Sequence, residues 1–367
     1  MLYQEKNNLL GIIKLLGRLR TLIFSFPFYH HNQFKLGSLN KFMKDVRLLA
    51  DPNSLSWDFA KKIQAHIQSK KEETIPLHEV SIKHFRIGEE NMFVPENVRK
   101  KNVYFIHDSS KKPQDWWIQL LLIEDTLRRA SAEKITFVLP NLQYSRKDWK
   151  GKPHVPISAR KVAQTISQGT ERIITMDLHS HQIQGFYNIP VDALESAPTV
   201  IDYLILTQPD SLNNLVVVAA DAGAVKASRK FATKLMKKLG ITTTIPIAIM
   251  DKTRIKPGEV SSAELIGDVA GKDVFIYEDM IDSGNTLISA AKVLREKGAR
   301  KLMCYGTHGL LTNDADTKLP EVYDVVMVSN TVPQTAKPGV ELIDMSPVFA
   351  EAIYRAQKGL SISKLFE

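Results

Sequence analysis

From Met43 onward, short apolar runs alternate with longer stretches in which apolar residues recur every three to four positions. The first pattern is that of buried strands, and the second that of helices with one apolar face. Strands are predicted at Val46–Ala50, Val103–Ile106, Ile135–Leu139 and Ile173–Met176. Between them, helices are predicted from Ser54 or Ser56 to about Ser69, from Gln114 to Ala130 and from Ser158 to Gln168. After Pro198 the rhythm repeats, with strands at Leu215–Ala219, Ile245–Met250, Val274–Tyr277, Leu302–Tyr305 and Val325–Val328. Helices at Val225–Leu239 and Thr286–Lys297 complete this second series. Strands alternating with helices predict an α/β fold with mainly parallel, doubly wound sheets. Two series of similar length predict two similar domains, 43–197 and 198–345, followed by a C-terminal helix and tail at 346–367. A faint internal repeat agrees: Lys101–Asp108 (KNVYFIHD) resembles Lys272–Asp279 (KDVFIYED).

The first 42 residues stand apart. They hold six basic side chains (Lys6, Lys14, Arg18, Arg20, Lys35, Lys41) against one acid, Glu5, around the apolar positions Leu9 to Leu16. A basic, acid-poor, amphipathic segment is what an organelle transit peptide requires, so targeting by residues 1–42 stays open. The plainer reading is preferred, a basic and poorly ordered extension ahead of a working protein that begins at Met43.

Charge and composition then narrow the function. The net charge is +9, but without the extension 43 of the 49 Lys+Arg face 39 of the 40 Asp+Glu. That balance gives no broad nucleic-acid surface and leaves room for a local phosphate site. A single cysteine, Cys304, excludes a disulfide framework and a thiolate zinc site and fits a reducing compartment, the cytoplasm. No apolar run reaches the roughly 20 residues of a membrane span.

The densest candidate chemistry is Glu278-Asp279-Met280-Ile281-Asp282-Ser283-Gly284-Asn285-Thr286, between a predicted strand and a predicted helix. Ligands of open α/β sheets bind beyond the carboxyl ends of strands, where a helix N-terminus offers unpaired N–H groups to an anion. Ser283, Gly284, Asn285 and Thr286 suit a phosphate, while Glu278 and Asp279 can accept hydrogen bonds from a sugar diol. A turn with Ser283 or Thr286 as helix cap is the plainer use of the same residues. Three acids and a small polar loop within nine positions favour a ligand. The segment resembles the signature with which the phosphoribosyltransferase family binds ribose 5-phosphate or its 1-diphosphate.

Two further strand ends carry chemistry. His179 follows a strand in Asp177-Leu178-His179-Ser180-His181-Gln182-Ile183-Gln184-Gly185-Phe186, and Asp221 follows another in Asp221-Ala222-Gly223. An imidazole and a carboxylate can hold magnesium, which takes few protein ligands and keeps waters. Read alone, such a histidine is more often a hydrogen-bonded structural residue and Asp-Ala-Gly usually a turn, and His181 has no assigned role. With Leu127–Ala132, Pro156–Ala159, Ile189–Asp192, Ile266–Val269 and Thr307–Gly309 added, the chain is similar to the ribose-phosphate pyrophosphokinase family from about Val46 to Phe366.

That resemblance implies two tandem phosphoribosyltransferase-like domains. It implies transfer of the diphosphoryl group of Mg2+-bound ATP to the C1 hydroxyl of ribose 5-phosphate, giving phosphoribosyl diphosphate and AMP. By resemblance, Lys252 and Arg254 are the catalytic candidates, His179 and Asp221 the metal site, and Glu278, Asp279, Asp282, Ser283, Gly284, Asn285 and Thr286 the sugar-phosphate site. Phe85, Glu89, Arg146, Lys147 and Asp148 match positions that bind ATP. The family forms dimers and hexamers with nucleotide held partly by a neighbouring subunit, so a homo-oligomer is expected. Some residues depart from the family pattern: Ile87 replaces an aspartate, Lys147 a glutamine, Trp149 an arginine, Glu278 an aspartate and Asn285 a small residue. Two other readings are a catalytically weak regulatory subunit and a nucleobase phosphoribosyltransferase. Retention of Lys252, Arg254, His179 and Asp221 disfavours the first, and the duplicated domain disfavours the second.

Overall fold

The computed structural model describes residues 43–71, 73–252, 263–335 and 337–366. Strand β1 (Val46–Ala50) and helix α1 (Ser56–Lys71) open it, followed by β2 (Leu77–Glu79), β3 (Ser81–His84) and β4 (Glu90–Phe93). Next come β5 (Asn102–Ile106), α2 (Pro113–Arg129), β6 (Lys134–Val138), α3 (Ser158–Ile166), β7 (Arg172–Met176), β8 (Val191–Leu194) and α4 (Ala197–Thr207). The second series is β9 (Leu215–Ala219), α5 (Val225–Leu239), β10 (Ile247–Lys252), β11 (Ala263–Ile266), β12 (Asp273–Ile281) and α6 (Asn285–Glu296). It ends with β13 (Lys301–Gly309), the short α7 (Ala315–Lys318), β14 (Val325–Ser329), β15 (Val340–Ile343) and α8 (Ser346–Lys358).

Two sheets result. One is six-stranded in the order β2-β1-β5-β6-β7-β8, and all its pairings are parallel. The other is seven-stranded in the order β11-β10-β9-β12-β13-β14-β15, with only β11 antiparallel. Apart from β11 the two orders correspond strand for strand, and the repeated segments 101–108 and 272–279 fall on the corresponding strands β5 and β12. The fold is therefore the expected α/β arrangement with mainly parallel sheets.

Each interior strand is an apolar run because helices cover both faces of the sheet. Leu215 to Ala219 are all buried. One core joins the sheets. It runs from Leu48 of β1 and Ile63 of α1 through Val200 of α4 to Phe275, Tyr277 and Tyr305 of β12 and β13. The C-terminal helix α8 returns to α1, where Phe59 and Phe349 meet edge to face at 5.4 Å between ring centroids.

The structure corrects one local expectation. Glu278 and Asp279 do not lie in a loop, because β12 runs on to Ile281, paired with the equally long β13 as far as Gly309. Close approach of these strands depends on Gly306, where a Cβ would sit 2.4 Å from Ile281 Cγ1. The loop proper is Asp282–Gly284, and Asn285 already begins α6.

Candidate functional site

In the seven-stranded sheet, chain order runs outward from β9 in both directions, first through β10 and β11, then through β12 to β15. The crevice between the ends of β9 and β12 is therefore a topological switch point, where open α/β sheets bind ligands. Asp221 lies just beyond β9, and Glu278 and Asp279 lie on the last turns of the pleat of β12. At the equivalent point in the six-stranded sheet, between β1 and β5, side chains of the chain itself bond to one another. There Lys111 Nζ lies 3.3 Å from Asp51 Oδ2, and Asp108 Oδ1 accepts from the Ser110 N–H at 2.8 Å and hydroxyl at 2.6 Å.

Two adjoining cavities open at the β9–β12 crevice. The smaller, about 240 Å³, is lined by Arg146, His179, Asp221 and every residue from Glu278 to Leu287. The larger, about 580 Å³, shares His179, Asp221, Glu278 and Asp279 and adds Glu195, Lys226, Lys230 and Tyr277. Sequence reasoning assigned no role to those four. His181 and Gln182 also border the larger cavity. The signal available for all of them was proximity to a strand end or helix start already marked by chemistry.

His179 arrives from the six-stranded sheet, three residues beyond β7, and its Nδ1 lies 2.8 Å from Asp279 Oδ2. This hydrogen-bonded carboxylate raises the imidazole above its ordinary pKa of 6.5, against the opposing effect of burial, with Asp148 adding to the rise and Arg146 opposing it. With Nδ1 turned to a carboxylate, Nε2 is the nitrogen left for a ligand, the arrangement typical of metal-binding histidines. The Asp221 carboxylate accepts from Ala224 N–H at 3.0 Å, which fixes it at the turn into α5.

The loop is held from both sides. Asp282 accepts from Arg146 Nη1 at 2.6 Å and from Thr312 Oγ1 at 2.7 Å. These bonds keep its carboxyl below the usual 3.8, Thr312 contributing most, against the effect of burial. Gly284 has φ +70°, in the left-handed region, and a Cβ there would lie 3.3 Å from Leu319 Cδ1. This glycine lets the chain turn from Ser283 into α6, whose first residues Asn285, Thr286 and Leu287 line the same cavity as Ser283.

The remaining expected residues lie elsewhere. Lys147 and Asp148 share a loop with Arg146 but line neither cavity. Phe85 and Glu89 sit on the β3–β4 hairpin, closed by Phe85 N–H to Glu89 O at 2.7 Å and Gly88 N–H to Phe85 O at 2.9 Å. The hairpin tip is open to solvent, with Phe85 58% and Ile87 80% exposed, and it lines neither cavity. Lys252 ends β10, opposite Ala263 of β11, and Arg254 lies outside the described residues.

Residues 53–169 match the N-terminal domain of ribose phosphate pyrophosphokinase, and residues 246–367 match the phosphoribosyl synthetase-associated domain. A ribose-phosphate pyrophosphokinase of Cereibacter sphaeroides (strain KD131) is 36% identical over 331 residues, covering 89% of this chain and 96% of that protein. Ribose-phosphate pyrophosphokinase A of Dictyostelium discoideum is 40% identical over 289 residues, covering 77% and 88% respectively. Among solved structures, phosphoribosylpyrophosphate synthetase from Mycobacterium smegmatis superposes with a TM-score of 0.76 at 30% identity, over 86% of this chain and 99% of that one.

Proposed function

The chain belongs to the ribose-phosphate pyrophosphokinase family, and we infer that it transfers the diphosphoryl group of ATP to the C1 hydroxyl of ribose 5-phosphate, releasing AMP. The observation that carries this to a particular place is the meeting of His179 with Asp279 at the β9–β12 crevice. One residue comes from each sheet, so a nucleotide beside one and a sugar beside the other would be brought together.

Within this proposal the smaller cavity takes ribose 5-phosphate. Ser283, Asn285, Thr286 and the opening N–H groups of α6 hold the 5-phosphate, where the helix dipole favours negative charge. Glu278 and Asp279 accept from the ring hydroxyls, Asp282 fixes the loop through Arg146 and Thr312, and Gly284 gives it room. Arg146, Lys147 and Asp148 border the nucleotide. Lys252 and Arg254 stabilise the charge of the transferring group, which is the main work in phosphoryl transfer.

His179 Nε2 and the Asp221 carboxylate are the donors proposed for Mg2+. The carboxylate suits this hard, oxygen-preferring ion, and the imidazole would be a second, less usual donor beside it. Among the described residues no group of three or more His, Cys, Asp or Glu stands together as a closed site. When bound, the ion would offset the negative charge of the phosphates.

The exposed β3–β4 hairpin supports a shared nucleotide site. Phe85 and Glu89 line neither crevice cavity, and in this proposal they serve a second copy in a dimer or hexamer. The division into domains 43–197 and 198–345 with a closing segment 346–367 belongs to the same proposal, as does a cytoplasmic location. Among the described residues no helix is long and apolar enough to cross a membrane. The extension 1–42 lies outside them.

The test is product identity, read by 31P NMR on a mixture of protein, ATP, Mg2+ and ribose 5-phosphate. AMP and a diphosphate on C1 are expected. ADP with a singly phosphorylated new ester would oppose the proposal.

A further inference from the structure

Asp177, the first residue beyond β7, has φ +35°, a conformation that side-chain-bearing residues rarely adopt unless their surroundings hold them there. What holds it comes largely from the other sheet. Its Oδ2 accepts from Thr307 Oγ1 of β13 at 2.7 Å, from Tyr277 OH of β12 at 3.1 Å and from the Ser196 hydroxyl. Thr307 and Ser196 are fully buried, and Tyr277 is 8% exposed. The Tyr277 ring is stacked on Phe231 at 4.9 Å between centroids, so its hydroxyl cannot swing away.

A second link runs beside the first. His308, next to Thr307 on β13, places Nε2 3.1 Å from Met176 O and 3.3 Å from Asp177 O. Its Nδ1 lies 2.9 Å from Thr331 Oγ1. Burial lowers the His308 pKa, and Nε2, which faces two carbonyl oxygens, is the ring's donor to them. The end of β7 is thus tied to β12 and β13 through a carboxylate and two carbonyls.

These ties lie one step inside the candidate site. His179 is two residues beyond Asp177, and Asp279 is two residues beyond Tyr277. Along β12 residues two apart point to the same face, so Tyr277 and Asp279 share a side. Asp177–Tyr277 is a largely buried inner rung, and His179–Asp279 is the exposed outer rung above it. Asp177 and Tyr277 also border the larger cavity, but their polar atoms are turned toward each other.

We propose that Asp177, Tyr277 and Thr307 form a positioning latch that sets the register in which His179 meets Asp279, without themselves holding substrate or metal. The proposal rests on the reading of that meeting point as the reaction centre. A small displacement there is costly, since a misplacement of about 1 Å can lower a rate on the order of a hundredfold.

The experiment compares Thr307→Val, which keeps the shape and removes the hydroxyl, with Thr307→Ser, which restores it, and with Tyr277→Phe. For the valine and phenylalanine variants we expect kcat to fall about tenfold or more, with KM for ATP and ribose 5-phosphate within about twofold of wild type. The serine variant should recover kcat to within about twofold. In parallel, spectra of 15N-histidine-labelled protein read the His179–Asp279 contact without turnover. Thr307→Val and Tyr277→Phe should displace the His179 ring nitrogen signals, and Thr307→Ser should leave them in place. A wild type that makes no AMP would defeat the assignment of the reaction centre, while these spectra would still decide the latch. Unmoved His179 signals, or an unchanged kcat beside a lowered Tm, would overturn it.

Discussion

His179 and Asp279 are separated by 100 residues in the chain and by 2.8 Å between Nδ1 and Oδ2. The contact joins the strand ends of two sheets built on the same strand order. The contact stands at the switch point of the seven-stranded sheet. At the other, Asp51 and Asp108 bond to Lys111 and Ser110 of the chain itself.

The loop below this contact depends on a single glycine. At Gly284 an alanine would have to adopt φ +70° and press its Cβ against Leu319. A left-handed conformation costs a non-glycine residue about 1–2 kcal/mol. Gly284→Ala should lower Tm and raise KM for ribose 5-phosphate more than KM for ATP, which steady-state kinetics can separate. Equal effects on both substrates would place the loop elsewhere.

Acid should loosen the junction of the first and last helices. Glu351 of α8 bonds Lys71 of α1 at 2.9 Å and Arg355 at 2.7 Å. Burial pushes the Glu351 carboxyl up, but these two cations outweigh it and hold the pKa below 4.5. A carboxyl depressed in the folded state stabilises fully above its unfolded pKa and loses that stabilisation as pH falls through the folded value. Glu351→Gln should therefore cost about 1–3 kcal/mol at pH 7, with the difference from wild type closing below about pH 4.5. Melting curves across this range check it. A difference that persists undiminished at pH 3 would show that packing, not charge, is lost.

The alternating apolar runs were enough to place most of the strands and helices, because strands buried on both faces leave continuous Val, Ile and Leu. The end of β12 was not legible in this way. Glu278, Asp279 and Met280 read as loop residues, and only pairing with β13 as far as Gly309 shows them to be extended. The hairpin at 81–93 was missed because its mixed, partly exposed residues show no clean alternation. Helix α4 was missed for another reason: Pro198 looked like a break but stands in its first turn, where proline is favoured. The strand-end acids and His179 could be singled out from type and position. The latch around Asp177 could not, since its partners lie 19 to 130 residues away and leave no local pattern.

Truncation tests the role of the extension. Residues 42–367 form one compact unit, and Met43 is 2% exposed against its core. A chain beginning at Met43 should fold with a single melting transition and keep wild-type kcat. Aggregation or loss of activity would make residues 1–42 part of the working protein.

Base selectivity should depend on Ile87 at the hairpin tip, provided a second copy places that tip on the nucleotide. A carboxylate there could accept from the amino group of adenine, whereas isoleucine offers only apolar contact. Ile87→Asp should raise the ratio of kcat/KM for ATP over GTP by roughly ten- to a hundredfold, the worth of one specific hydrogen bond. An unchanged ratio would remove Ile87 from the base.

The most direct measurement is ribose 5-phosphate-dependent release of AMP from ATP, followed side by side for wild type and Asp279→Asn. The wild type should release AMP only when the sugar phosphate and Mg2+ are present. The variant, which keeps the shape of the side chain but loses the charge that faces His179 and that the proposal turns to the sugar hydroxyls, should fall by about a hundredfold or more. AMP release at the wild-type rate from Asp279→Asn, or none from the wild type, would contradict the assignment of this crevice as the reaction centre.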